Sequence, residues 1–159
     1  MKKILIISLL LIGLMSFKSA TTSELETKLG SGPAYLTCKS DSGRTEFNAV
    51  LQDITGILFK AELAIDSTKM KYKTDKGHTI FDPKNGVLTL YIDDGVKKSF
   101  PGHSFLEFWS IPSTFKTIKN KSGHQIYEFK ANIYGSEIRE DKERHIPIIT
   151  LNCRLEYQI

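Results

Sequence analysis

The stretch that decides the fold is ITLNCRLEYQI, residues 149–159. Apolar and polar residues alternate along it, which is the two-residue period of a β-strand with one buried and one solvated face. The apolar positions are Ile149, Leu151, Cys153, Leu155, Tyr157 and Ile159. One of the only two cysteines is therefore predicted to lie on a buried strand face at the end of the chain.

The first 20 residues have the pattern of a secretory signal peptide. Lys2 and Lys3 form a basic start, an apolar stretch follows at residues 4–15, and small residues precede a cut near Ala20. This apolar stretch is too short to span a bilayer, which takes about 20 residues. We predict an exported protein, periplasmic or secreted, with no stable membrane insertion after cleavage; the alternative is a retained N-terminal anchor. The predicted organisation is a signal peptide at 1–20, a flexible lead at 21–32 and a single β domain at 33–159.

The charge of the mature protein argues against a nucleic-acid partner. Residues 1–20 contain Lys2, Lys3 and Lys18 and no acidic residue, so their removal leaves 19 of the 22 basic residues against 18 acidic ones. A nearly neutral, mixed-charge surface lacks the basic excess of nucleic-acid-binding proteins.

The two cysteines are predicted to form a disulfide. Cys38 lies in the early apolar run AYLTCKS, residues 34–40, and Cys153 lies in the last strand. Paired cysteines are typical of exported proteins. The bond would join the two ends of the folded region; the alternative is two buried thiols.

Shorter alternating runs separated by turn residues fill the rest of the domain. In one run, residues 44–52, the side chains predicted to face the core are those of Thr45, Phe47, Ala49 and Leu51. In the next run, residues 57–65, the side chains predicted to face the core are those of Ile57, Phe59, Ala61, Leu63 and Ile65. A hairpin is predicted around DPKNG, residues 82–86, because proline fixes a turn and Asn-Gly permits positive φ.

Two stretches break the alternation. Residues 100–115 contain Phe105, Phe108 and Trp109 between two prolines and fit neither the helical nor the strand period, so an irregular segment is predicted. Residues 135–147, with the run EIREDKER, are predicted to be a polar connection.

The fold class predicted from these patterns is all-β. Tight turns between successive alternating runs favour an antiparallel meander in which each strand pairs with its neighbours in sequence. If the disulfide joins the first and last strands, the meander closes into a small barrel of roughly 8 to 10 strands. The alternative is a two-sheet β-sandwich, in which the disulfide would bridge the layers.

No catalytic motif, cofactor site or metal site emerges from the sequence. The four histidines are far apart, and none has a partner at the spacing of a zinc site. Ser104, in Gly102-His103-Ser104, resembles half of a nucleophile elbow but lacks the second glycine. We therefore expect a protein that is not an enzyme.

Two groups of residues are candidates for binding. The aromatic residues of the irregular segment would form a lid or pocket wall, unless they pack in the core; they are Phe100, Phe105, Phe108, Trp109 and Phe115. Lys69, Lys71 and Lys73 form a basic row that would meet an acidic partner or protect a sheet edge from aggregation.

The expected architecture is similar to small exported barrels such as lipocalins, avidins and the periplasmic inhibitors of C-type lysozyme, by fold and not by motif. SGHQIY, residues 122–127, resembles the Ser-Gly-x-x-Tyr pattern of the inhibitors but is one residue longer. We predict a non-enzymatic binding protein of the cell envelope or secreted space, with a small apolar ligand or a partner at the barrel interior or mouth. The alternative is a protein-directed inhibitor or surface interaction module that uses the charged residues 136–144.

Overall fold

The computed structural model describes residues 32–52, 57–75, 77–96, 103–121, 123–140 and 142–158. The predicted signal peptide and nearly all of the predicted lead lie outside these residues. The strands are β1 (Ala34–Lys39), β2 (Thr45–Leu51), β3 (Leu58–Ile65), β4 (Thr68–Tyr72), β5 (Gly77–Asp82), β6 (Val87–Val96), β7 (His103–Ser110), β8 (Lys116–Lys121), β9 (His124–Arg139) and β10 (Lys142–Gln158). Two 3₁₀ turns, Pro83–Asn85 and Pro112–Thr114, complete the described structure. In this part of the chain there is no α-helix of the length and hydrophobicity that crossing a bilayer requires.

All ten strands belong to one antiparallel sheet, which confirms the all-β prediction. The order is β4-β3-β2-β1-β10-β9-β7-β6-β5, and β8 pairs with β9 next to β7. Strands β7 and β8 pair with successive halves of the long β9, so together they act as one interrupted strand. The sheet therefore consists of two meanders, β1–β4 and β5–β10, joined where β1 pairs with β10.

The disulfide lies at this junction, as predicted. Cys38 is directly opposite Cys153 in the ladder between β1 and β10, with the two Cα atoms 4.0 Å apart. Both side chains are buried in the core. The bond thus connects the first strand to the last strand at a point where they are already neighbours.

The sheet curls into a half-barrel around one core. Its two edge strands, β4 and β5, form no ladder with each other in the part of the chain described. Side chains from distant strands meet across the interior: the rings of Phe47 and Phe108 are 5.3 Å apart, and those of Phe81 and Tyr157 are 5.9 Å apart. Because a single sheet holds every described strand, the sandwich alternative is wrong.

The inward faces of most strands follow the predicted alternation. On β2, Phe47 and Ala49 are buried, and on β10 Leu151 and Leu155 are buried. The predicted hairpin is also confirmed: it joins β5 to β6, and Gly86 ends its turn with a positive φ of 69°. A side chain at this φ would be strained, so the turn selects glycine.

The predicted inward face of β3 is wrong in its first half. Ile57 and Phe59 are 58% and 57% exposed, whereas Leu58 is buried. The register between β2 and β3 shifts at Val50 and Leu51, as at a β-bulge. A bulge adds one residue to a strand and reverses the faces beyond it. The predicted alternation therefore holds only from Ala61 onward.

The predicted irregular segment is a regular strand over most of its described length. Strand β7 buries every second residue, with Leu106 and Phe108 at its centre. Phe105 and Trp109 alternate with them on the outer face of the sheet. The period was hidden in the sequence because both faces of this strand carry large apolar side chains.

The predicted polar connection at residues 135–147 is also wrong. Strands β9 and β10 continue through it, and their ladder reaches the pair Arg139 and Lys142. Beyond Gly135, the β10 strand of this hairpin is no longer paired with β1 in the described ladder. The β9 strand is paired with β7 only as far as Ser136. The resulting two-stranded ribbon buries Ser136, Ile138 and Ile146, whereas its charged residues Arg139, Lys142 and Glu143 are exposed.

Candidate functional site

The outer side of β6, β7 and β9 carries a group of aromatic residues around one carboxylate. Tyr91 on β6, Glu107 on β7 and Tyr134 on β9 are directly opposite one another in the two ladders. Phe105 and Trp109 flank Glu107 on the same face of β7. We call these five residues the outer aromatic face.

The rings of this face support one another. Tyr134 lies edge-on to both Phe105 and Trp109, with ring centroids 5.5 Å and 5.8 Å away. Such T-shaped pairs stabilise by about 0.5–1.5 kcal/mol beyond the burial of their area. The three rings are half-buried. The face is therefore held in place by its own contacts while leaving ring surface open to a partner.

A glycine brings the two central strands of the face together. Gly135, next to Tyr134, lies opposite Leu106. A Cβ atom added at residue 135 would lie only 2.3 Å from the carbonyl oxygen of Phe105. Only glycine permits this approach of β7 and β9, which places the ring of Tyr134 beside that of Phe105.

The electrostatics of the face centre on Glu107. Partial burial of the Tyr134 hydroxyl, followed by the negative charge of Glu107 and a hydrogen bond to it, raises the pKa of Tyr134. Tyr134 thus stays protonated at neutral pH and donates to the Glu107 carboxylate. No lysine, arginine or histidine nitrogen among the described residues forms an ion pair with Glu107. The carboxylate is half-buried among rings, and no cation of the described residues pairs with it.

Two exposed isoleucines extend the apolar surface on either side. Ile80 on β5 is 64% exposed and lies beside Thr89, which in turn pairs with Trp109. Ile148 on β10 is 67% exposed and belongs to the bulge opposite Tyr134. Exposed large apolar side chains grouped near one another are typical of interaction sites on proteins.

The structure separates the predicted aromatic binding residues instead of bringing them together at one rim. Phe100 lies outside the described residues. Phe108 is completely buried against Phe47. Phe115 stacks on Phe129 inside the sheet, with ring centroids 4.5 Å apart. Only Phe105 and Trp109 lie together on an accessible surface.

The predicted basic row lies at the sheet edge. Lys69 and Lys71 point outward from the edge strand β4, and Lys73 follows the end of that strand. Lys71 pairs with Glu62 on the neighbouring strand at 3.6 Å. This placement agrees with the protective role of charged residues at exposed edges.

Two histidines form pairs with carboxylates, at different places. Nε2 of His103 lies 2.7 Å from Asp93. Nε2 of His124 lies 2.6 Å from Glu156, and its Nδ1 lies 2.7 Å from the Lys119 ammonium. Since an ammonium group only donates, His124 donates through Nε2 and has no nitrogen left to activate a nucleophile. No group of three or more potential metal ligands occurs among the described residues.

Sequence reasoning found Phe105 and Trp109 but missed Tyr91, Glu107 and Tyr134. These three residues meet only through the register of β6, β7 and β9, which the intervening turns do not reveal. Comparisons with known protein families, curated proteins and solved structures find no match for this chain. The stretch that resembles the lysozyme-inhibitor pattern begins at Ser122, outside the described residues, and continues into β9. Function is therefore inferred from the residues of the outer aromatic face.

Proposed function

We propose that this chain is an exported, non-enzymatic binding protein that docks a protein partner on its outer aromatic face. In this proposal the partner presents a lysine or arginine side chain to Glu107, and the surrounding rings cover the apolar stem of that side chain. The function is thus the surface interaction module anticipated from the sequence, at a different location from the charged residues 136–144.

The observation that carries the proposal is the Glu107 carboxylate, which forms no ion pair with any described residue and is surrounded by aromatic rings. A carboxylate attracts a cationic group directly, and Tyr, Trp and Phe rings attract it through their electron-rich faces. Trp, Tyr and Phe are also enriched at protein interfaces. A basic side chain inserted between Tyr91 and Tyr134 would satisfy both preferences at once.

A small apolar ligand inside the sheet is less well supported. Such a ligand needs space in the interior, and the side chains predicted to line that space pack against core residues instead. Phe108 contacts Phe47 from the opposite wall, and Phe115 stacks on Phe129. The outer face offers the larger accessible aromatic surface.

Export and full closure of the barrel are parts of the proposal. The disulfide between Cys38 and Cys153 agrees with an oxidising compartment. A native mass spectrum of the secreted protein under non-reducing conditions should give the mass of a chain cut near Ala20 with two hydrogens lost to cystine. Closure between β4 and β5 should appear as slow amide exchange in both edge strands, since a ladder protects the amides it pairs.

The docking proposal is tested by titration with short peptides of known charge. Trp109 is the only tryptophan, so its fluorescence reports on the outer aromatic face alone. A decamer of lysine or arginine should shift this fluorescence in a saturable manner, and a decamer of glutamate should not. Replacement Glu107→Gln should weaken binding by about tenfold, which corresponds to about 1.4 kcal/mol and is close to the lower end of the range for one hydrogen bond to a charged group.

The matched control is Glu143→Gln, which removes one exposed carboxylate from the two-stranded ribbon and leaves the outer aromatic face intact. This variant should bind the basic peptides as the parent protein does. Equal weakening by both substitutions would mean that net charge alone drives binding. No fluorescence response to either basic peptide would also refute the proposal.

A further inference from the structure

A second surface, next to the outer aromatic face on the same outward side of the sheet, forms a groove of about 680 Å³ across four strands. It follows the outward side chains of β1, β10 and β9 and reaches the turn and first residue of β8. The strand pairing fixes the positions of the residues on its floor: Thr37 is opposite Arg154, and Lys39 is opposite Asn152. In the next ladder Arg154 is opposite Glu128.

The lining of this groove carries an excess of positive charge. It contains Lys39, Lys116, Lys130 and Arg154 but one carboxylate, Glu128. Two of the cations are compensated: Lys39 pairs with Glu46 at 2.9 Å, and Arg154 pairs with Glu128 at 3.3 Å. Neither Lys116 nor Lys130 has an ion-pair partner within the described residues, so two ammonium groups remain for a ligand.

These two ammonium groups are close enough to act together. Lys116 on β8 is opposite Glu128, and Lys130 lies two residues further along the same face of β9. Diagonal positions of this kind are about 7–8 Å apart. Beyond them the groove presents neutral polar groups, namely the Thr37 hydroxyl and the side-chain oxygen of Asn152, whose amide nitrogen donates to Asp41 at 2.6 Å. The Thr114 hydroxyl is used within the protein, where it donates to Ile111 and accepts from Lys130. Ammonium groups near hydroxyl and amide groups match a ligand that carries both oxyanions and hydroxyls.

The backbone around the groove argues against an acidic peptide as the ligand. Extended peptides usually bind β-sheets by adding a strand to a free edge. The three strands β1, β10 and β9 are each paired on both sides, so their backbone groups are already used. Recognition here must come from side chains alone.

We propose that this groove binds an anionic saccharide, with Lys116 and Lys130 each contacting a carboxylate or sulfate of successive sugar units. The Thr37 hydroxyl and the Asn152 side-chain oxygen would hydrogen-bond the sugar hydroxyls. Four strands at about 4.8 Å spacing give the groove a length of about 14 Å, which suits a short oligosaccharide. This second binding surface is independent of the docking function proposed for the outer aromatic face.

The test is isothermal titration calorimetry of the full mature protein with defined saccharides. The probes are a galacturonate oligomer, a dextran sulfate oligomer and a neutral dextran oligomer of equal length. We expect binding of at least one anionic oligomer and none of the neutral one, and the arm that binds identifies carboxylate or sulfate as the preferred group. The double substitution Lys116→Gln and Lys130→Gln should raise the Kd at least tenfold.

The matched control is the double substitution Lys84→Gln and Lys142→Gln, which removes the same charge from exposed sites outside the groove. It should change the Kd by less than twofold, and both variants should keep the parent urea midpoint. Equal losses in the two double variants would overturn the proposal, as would equal binding of neutral dextran or failure of both anionic oligomers to bind. Tighter binding of a glutamate decamer would assign the groove to an acidic peptide instead. Tyr91→Ala, on the strand of the outer aromatic face farthest from Lys130, should leave saccharide binding unchanged, which separates this result from the test of the outer aromatic face.

Discussion

Reduction of the Cys38–Cys153 disulfide is expected to destabilise the fold strongly. The bond joins residues separated by 115 positions and so constrains almost the entire unfolded domain. Loop-closure entropy for this separation is about 16 cal/mol/K, which gives about 4.8 kcal/mol of free energy of unfolding at 25 °C. For a domain of about 127 residues, the entropy of unfolding near the midpoint is about 0.27 kcal/mol/K, so the Tm should fall by about 18 °C.

Urea unfolding followed by Trp109 fluorescence, with and without a phosphine reductant, measures this effect. With an m value of about 1.5 kcal/mol/M, the midpoint should fall by about 3 M on reduction. The double substitution Cys38→Ala and Cys153→Ala should unfold at a low midpoint that does not respond to reductant. A reduced parent protein with a midpoint within about 0.5 M of the oxidised one would refute the reasoning, because the bond would then not constrain the unfolded chain.

Three further perturbations test the register, a close contact and an ion pair by urea unfolding. Leu58→Ala should cost about 2–4 kcal/mol in free energy of unfolding, and Phe59→Ala less than about 1 kcal/mol; the reverse order would refute the bulge. Gly135→Ala should cost about 2 kcal/mol or more because its Cβ would collide with the neighbouring strand, whereas Gly32→Ala, whose Cβ meets nothing within 4 Å, should be neutral. The hydrogen bond from His124 is the largest of the causes that hold the pKa of Glu156 below its usual 4.5. The stabilisation it gives is therefore present above pH 4.5 and is lost as the pH falls through the folded-state pKa, so Glu156→Gln should flatten the dependence of the urea midpoint on pH in that acidic range; an unchanged dependence would contradict this assignment.

The parts of the fold that could be predicted are the strands with one buried face and one solvent-exposed face. The last strand shows this in Leu151, Cys153 and Leu155, and β2 shows it in Phe47 and Ala49. Short turns then fix the neighbours of each strand, and the cysteines identify the pair of strands that joins the ends. These local and covalent signals were sufficient for the β1–β4 meander, the hairpin of β5 and β6 and the pairing of β1 with β10, but not for the places of β7 and β8.

The parts that could not be predicted depend on contacts between strands. The register shift between β2 and β3, which exposes Phe59, is not apparent from the sequence of either strand. Strand β7 was misread because Phe105 and Trp109 face solvent, against the usual preference of large apolar residues. Glu107 becomes a candidate site residue only because the two ladders place it between Tyr91 and Tyr134. Register, which sequence patterns do not determine, therefore decides the candidate site.

The pairing of the first described strand with the last has a consequence for chain connectivity. Tyr35 lies opposite Glu156, so a short linker could join the first strand to the last, while new termini could be opened between Thr74 and Gly77, in the connection of β4 to β5. Such a circular permutant would run through the sheet from one edge to the other in sequence order. Its mean contact order would be lower, so it should fold faster than the natural chain with the same side-chain packing.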